Sequence, residues 1–297
     1  MQYITIYPWT HQGGRLGISM HIHKTLARNI LIIDYALAVL TVAILWLAHI
    51  TDSLSNNLYG VLFLGFIPVF GGLYGLSIAR RWGFLKSALG RATVFFSLGL
   101  ISWGIGTYIF SGVYNFILNV PVPYPSIADV GYILSLPLWV AGMIQLSRAT
   151  GARYSLRSSK GKALLLLIPT LIIGLSYYLL VTVARGGSLD LSLSDGALKF
   201  FFDLAYPVGD VVILSIATVI YGLSYNYFGG VYKKAIYLIL SGFALMYIAD
   251  FSFSYTTTLD TFYPAGWVDL LFTTAVFVLS LGIMMLDPRV LSKKQKV

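Results

Sequence analysis

The stretch Pro264-Ala265-Gly266-Trp267-Val268-Asp269-Leu270-Leu271-Phe272-Thr273-Thr274-Ala275-Val276-Phe277-Val278-Leu279-Ser280-Leu281-Gly282-Ile283-Met284-Met285-Leu286 decides the fold. One charged side chain, Asp269, interrupts it. A helix needs about 20 apolar residues to cross the hydrocarbon core of a bilayer, and this run supplies them. Only a helix or a closed barrel satisfies every backbone amide and carbonyl in hydrocarbon, so a continuous apolar run of this length reads as a spanning helix.

Seven more runs of the same kind precede it. The pattern predicts helices near 27–49, 58–79, 93–119, 126–147, 163–185, 199–224, 232–257 and 264–286. The fold class is therefore all-α, a polytopic membrane domain over 27–286 between a cytoplasmic or interfacial tail, 1–26, and a basic cytoplasmic tail, 287–297. Across 297 residues, 58% are hydrophobic and 10% charged, with a mean hydropathy of +0.81, well below the charge content of water-soluble domains. There is no cysteine, which excludes disulfides, thiol catalysis and iron–sulfur ligation. The first 26 residues do not form a signal peptide, because the apolar run that follows is too long and lacks a small-residue cleavage site.

The net charge of +9 would suit nucleic acid, but its distribution points to a lipid bilayer instead. Arg15 and Lys24 precede the first helix and Arg28 lies at its start. Arg80, Arg81, Lys86 and Arg91 follow the second; Arg148, Arg153, Arg157, Lys160 and Lys162 follow the fourth; Lys233 and Lys234 follow the sixth; Arg289, Lys293, Lys294 and Lys296 follow the eighth. The alternate loops hold Arg185 and Lys199, with Asp52, Asp190, Asp195 and Asp260. Eighteen of the 20 bases thus fall on one set of faces, which the positive-inside rule assigns to the cytoplasm, with both termini inside the cell.

A pattern recurs in the even-numbered helices: Tyr124-Pro125 with Asp129, Tyr206-Pro207 with Asp210, and Tyr263-Pro264 with Asp269. Proline in a first helical turn costs no hydrogen bond, and an Asp there faces the positive end of the helix dipole. Either Tyr-Pro simply opens these helices, or a helix hairpin has been duplicated. Pro207 has a second reading, inside its helix, where it would free the carbonyl of Asp203.

Depth adds to the pattern. Asp129, Asp203, Asp210 and Asp269 fall in the outer halves of descending helices, and Asp250 in the outer half of an ascending one. Ionisable groups in membrane helices are costly and turn inward to a partner, a cavity or an ion path. These five Asp, with Tyr124, Tyr206 and Tyr263, are the candidate ligand- or ion-binding residues. The competing reading makes them glue between helices. Asp34, in the inner part of the first helix, is expected within reach of the cytoplasmic bases.

Other chemistries fit poorly. A retinal pigment needs a mid-helix lysine, and Lys233 and Lys234 sit at a helix start. Histidine ligation of haem lacks partners: His11, His21 and His23 are in the tail and His49 is near a helix end. Val208-Gly209-Asp210 resembles the Gly-x-Gly-Asp element of intramembrane aspartyl proteases, but Pro207 replaces the first glycine and Asp203 shares the same helix. Gly71 and Gly75 form a Gly-x-x-x-Gly pair suited to close helix packing. No enzyme activity and no cofactor are expected.

Pro123-Tyr124-Pro125-Ser126-Ile127-Ala128-Asp129-Val130-Gly131-Tyr132, then Asp203-Leu204-Ala205-Tyr206-Pro207-Val208-Gly209-Asp210, then Ala249-Asp250 ahead of Gly266-Trp267-Val268-Asp269, resemble a membrane sensory module. Such modules lie N-terminal to some bacterial and archaeal diguanylate cyclases, phosphodiesterases and histidine kinases; the likeness covers roughly 90–286. It implies an input domain in the cell membrane that detects an unidentified stimulus and passes it to a cytoplasmic output; together with the outer Asp and Tyr residues, this makes a proton, cation or small ligand the expected occupant. Residues 287–297 carry no output domain, so a separate cytoplasmic signalling protein is the implied partner. A small ion-coupled secondary transporter is the alternative.

Overall fold

The computed structural model describes residues 13–50, 53–150, 159–183, 186–187, 197–224 and 232–289. The sequence-based readings on His11, Asp52, Arg153, Arg157, Arg185, Asp190, Asp195, Lys293, Lys294 and Lys296 fall outside these residues. So do the side chains of Arg15, His21, His23, Lys24, Lys199 and Asp203.

Eight helices are long and apolar enough to cross a membrane. They are α1 (Gly13–Leu47), α2 (Leu54–Arg81), α3 (Ala88–Leu118), α4 (Ile127–Ala149), α5 (Ser159–Val183), α6 (Ala197–Ser224), α7 (Lys233–Thr258) and α8 (Trp267–Met284). No strand occurs among the described residues. This is the architecture of a multi-pass membrane protein. Its first helix begins at Gly13, inside the segment read as a tail, with a candidate span of Thr25–Leu47.

The helices do not share burial equally. In α3, 61% of the spanning window is buried, against 17% in α1 and 12% in α5, so α3 is central and α1 and α5 peripheral. Exposed apolar side chains confirm the surface character of the outer two: Trp46 and Leu47 on α1, Leu166 and Leu171 on α5. Apolar faces of this extent are unusual on proteins bathed in water and are what a lipid-facing helix requires.

Two close approaches hold the centre. A Cβ added at Gly131 on α4 would meet the backbone of Gly106 on α3, and Ser102 Oγ donates to the Gly131 carbonyl across 2.7 Å. Side chains larger than hydrogen would push these helices apart. The predicted Gly71/Gly75 face on α2 behaves the same way, meeting Ser280 of α8 and both Ser97 of α3 and Ile283 of α8. Aromatic packing adds a second layer: Phe243 of α7 lies against Phe96 of α3 and Trp139 of α4, at ring separations of 5.7 and 5.5 Å.

Helix regularity is relaxed at one end of the bundle, the end carrying the Tyr-Pro turns. There α2 (Gly60–Gly65), α3 (Tyr108–Leu118) and α5 (Tyr178–Val183) wind as π-helix. Gly60 packs on Ser111 where two of these segments meet. π-Helical turns leave backbone hydrogen bonding wider than in an α-helix and cluster at functional positions.

Two of the three Tyr-Pro pairs open a helix: Pro125 precedes α4 and Pro264 precedes α8. The third does not. Pro207 lies inside α6, ten residues beyond its start at Ala197. Without an N–H to give, Pro207 leaves the Asp203 carbonyl without its helical donor.

Candidate functional site

The Tyr-Pro end carries the described carboxylates Asp129, Asp210, Asp250 and Asp269. Asp129 is in the first turn of α4 and 8% exposed. Its Oδ2 accepts from the Ser126 amide at 2.6 Å and from Ser126 Oγ at 2.9 Å, closing the start of the helix on itself. Its Oδ1 accepts from the Tyr206 hydroxyl of α6 at 2.7 Å. One carboxylate therefore serves as both a cap and a tie between helices. Two residues singled out from the sequence, 77 positions apart, are brought into contact.

A second contact lies deeper on α6. The side chains of Asp210 (α6) and Asp250 (α7) lie against each other and interact. A carboxylate has no hydrogen to give, so a hydrogen bond between two carboxyls requires a proton on one of them. Nearby, Tyr247 of α7 bonds to Ser176 of α5 at 2.7 Å, and its hydroxyl lies in the field of Asp210. Thus α6 is held by polar contacts on two sides, to α4 through Tyr206 and to α7 through Asp210. Pro207 sits between those two attachment points.

Asp269 stands apart from both pairs. Its Oδ2 accepts from the Ala265 amide at 2.7 Å, which fixes the turn ahead of α8 where Ala265 has a φ of 58°. One turn on, Thr273 gives its hydrogen to the Asp269 carbonyl, so the 2.8 Å contact with Tyr59 of α2 has Tyr59 as donor. Thr274 likewise donates to Leu270, making Tyr35 of α1 the donor to Thr274 at 3.0 Å. Tyr132 of α4 lies in the fields of both Asp129 and Asp269, and donates to Thr107 at 3.4 Å.

The four outer-half carboxylates whose side chains are described do not form one cluster. Asp129 pairs with Tyr206, Asp210 with Asp250, Asp269 caps α8, and the Asp203 side chain is outside the described set. Among the described residues, no three His, Asp or Glu side chains come together as a metal site. Tyr124 and Tyr263 are each 47% exposed at the rim. A shallow groove of about 350 Å³ opens at this rim, lined in part by Tyr114, Pro123, Pro125, Ser126 and Phe202. Ser126 and Phe202 put it directly beside the Asp129–Tyr206 tie, since Phe202 also packs on Tyr206.

Asp34 differs from its sequence-based placement. It lies in the fields of Tyr59 and Tyr108 rather than among the bases, and its buried Oδ2 has no hydrogen-bond partner. Tyr35, its neighbour, stacks on Phe277 of α8 at 4.1 Å, which sets α1 against α8 at this depth.

The opposite end holds a site that the sequence reading passed over. Asp287, fully buried just past α8, accepts from Arg81 at the end of α2 at 2.8 Å and from Arg289. Burial alone would raise its carboxyl, but the Arg289 hydrogen bonds and the Arg81 charge outweigh that and hold it below the usual aspartate value. Trp82 Nε1 donates to the Leu286 carbonyl at 2.7 Å, and its ring meets Tyr232 edge-on at 5.7 Å. The available signal was Asp287 itself, an acid placed beside a run of bases. Tyr59 and Tyr132 carried no comparable signal among 21 tyrosines.

No family model matches the chain, and neither a curated protein nor a solved structure matches it.

Proposed function

We propose that the chain is a sensor-like input module of the cell membrane, not an enzyme. In this reading both termini and the basic edge face the cytoplasm, as the distribution of bases favours. The Asp/Tyr contacts of the opposite end then take up or release a proton, a cation or a small ligand. The observation that carries the reading is the double attachment of α6, through Tyr206 to Asp129 and through Asp210 to Asp250, either side of Pro207. A ligand that replaces the proton between Asp210 and Asp250 changes one attachment and not the other. Pro207 is where α6 can bend in response, since the backbone ladder is already open there. A separate cytoplasmic protein at the basic edge would read the movement, and the likeness to sensory modules of cyclases and kinases points the same way.

The test is hydrogen exchange across Ala205–Gly222 in lipid nanodiscs as pH and sodium are varied, with Asp129→Asn, Asp210→Asn, Asp250→Asn and Asp269→Asn measured singly. Exchange that responds in the natural chain and stops responding in Asp210→Asn or Asp250→Asn supports the reading. An unresponsive α6, with the variants only uniformly less stable, reduces these side chains to structural ties.

A small ion-coupled transporter is the second reading. It draws on the π-helical segments and Pro207, which interrupt helices near buried carboxyls as transporter sites do. Uptake into proteoliposomes driven by a proton or sodium gradient would favour it over the sensor.

A further inference from the structure

We propose that Arg91, Gln145 and Arg148, where the start of α3 meets the end of α4, form a binding site for a phosphate-bearing anion. Arg91 Nε donates to Gln145 Oε1 at 2.9 Å, and Arg148 Nη1 donates to the same oxygen at 3.4 Å. Arg91 Nη1 is also tied to the Leu85 carbonyl at 2.9 Å. One neutral amide oxygen thus gathers two guanidinium groups and spends both of its lone pairs on them. The groups these bonds leave over are donors only: Arg91 Nη2, the rest of the Arg148 fork and the Gln145 amide nitrogen.

The charge of this cluster is unbalanced. Two cations held by a shared neutral acceptor repel each other. Among the described residues, the ion pairs of this end go to Asp287, which serves Arg81 and Arg289 and neither Arg91 nor Arg148. The sequence has no acid between Asp52 and Asp129, nor between Asp129 and Asp190, and Asp129 is at the far end of α4. Arg91 also lies in the first turn of α3, where the helix dipole disfavours a cation and favours an anion.

The contrast with Asp287 is instructive. At the same edge, Arg81 and Arg289 converge on a carboxylate the chain supplies; Arg91 and Arg148 converge on none. A phosphate offers the oxygens that two planar forks can grip in parallel. Arg91 is half-buried and Arg148 exposed, so the site has a fixed inner wall and an open mouth. Both arginines sit in terminal turns of helices long enough to span, the depth at which phospholipid headgroup phosphates lie. The same chemistry would accept a free phosphate from solution.

The test uses the full chain in a neutral detergent, followed by thermal unfolding. The probes are short-chain phosphatidylglycerol, short-chain phosphatidylcholine and inorganic phosphate. Phosphatidylglycerol or phosphate should raise the melting temperature, phosphatidylcholine should not, and the double variant R91Q/R148Q should need about tenfold more of the effective probe. Exposed Arg80→Gln, on the same edge, should leave the response unchanged. A response to phosphatidylglycerol alone identifies a lipid headgroup; an equal response to inorganic phosphate identifies a free anion. Arg148→Gln alone gives up only the longer bond to Gln145, so it keeps the fold if the double variant does not, and it should still weaken the response. No response to either anion overturns the site. So does an equal loss in Arg80→Gln, which would mark a diffuse basic edge.

Discussion

The Tyr206 hydroxyl reaches Asp129 Oδ1 across 2.7 Å, joining α6 to α4 through a carboxylate whose other oxygen closes the start of α4. The two oxygens do different work, and this separates their contributions experimentally. Tyr206→Phe removes only the tie between helices, at an expected cost of about 0.5–1.5 kcal/mol, the range for hydrogen bonds between membrane helices. Asp129→Ala removes the tie and the cap together, adding about 1 kcal/mol for the lost cap. In a double-mutant cycle monitored by unfolding in mixed micelles, Tyr206→Phe should cost nothing further once Asp129 is Ala. Additive losses would mean that the two side chains do not meet.

The apposition of Gly131 and Gly106 leaves no room for a side chain between α3 and α4. Gly131→Ala should destabilise by about 1–3 kcal/mol, the usual cost of overpacking a tight contact. Gly131→Leu should abolish the folded peak in size-exclusion chromatography. Gly174 on α5, where an added Cβ meets nothing within 4 Å, provides the control: Gly174→Ala should be neutral or slightly stabilising.

At the other end, Asp287 carries the chain's acid-sensitive anchor among the described residues. Its carboxyl is held below the ordinary aspartate value of 3.8 by Arg289 and Arg81, despite the burial that opposes this. A depressed acid contributes stability that is fully present above its unfolded value and is lost as pH falls through the folded one. Unfolding followed from pH 7 downward should therefore show no Asp287-dependent loss until below about pH 4, and a loss beyond it. Asp287→Asn should already be weaker at pH 7, by about 1.5–3 kcal/mol, and should lose that part of the acid dependence.

The helices were readable because hydrocarbon imposes a length and a polarity on each run, and these survive any arrangement of neighbours. The candidate residues were readable by the same rule, since an Asp such as Asp129 or Asp210 stands out against apolar surroundings. Their partners were not. Tyr206 meets Asp129 and Asp210 meets Asp250 because of how α4, α6 and α7 pack, and packing among lipid-solvated helices leaves little trace in hydropathy. Pro207 was legible in part. Its local sequence matches Pro125 and Pro264, but the run predicted over 199–224 already extends upstream of it, and α6 begins at Ala197 and runs through it. Asp287 escaped notice for the opposite reason. It lies just beyond the apolar run, where a charge is unremarkable until Arg81 is folded against it.

The Asp210–Asp250 contact allows a sharper test of whether it is a tie or a responsive element. Asn at either position keeps the size of the side chain and brings an N–H that can donate to the remaining carboxylate. Asp210→Asn and Asp250→Asn should therefore each fold with stability changed by no more than about 1 kcal/mol. Asp210→Ala/Asp250→Ala, which leaves neither donor nor acceptor, should loosen α6 from α7 and raise hydrogen exchange in Ala205–Gly222. If the contact is responsive, the Asn variants hold α6 in one state whatever the pH, because an amide cannot exchange its proton for a cation. If it is only a tie, the natural chain and both Asn variants show the same exchange from pH 5 to 8. The single substitutions decide between the two, since they remove the exchangeable proton while leaving the hydrogen bond in place.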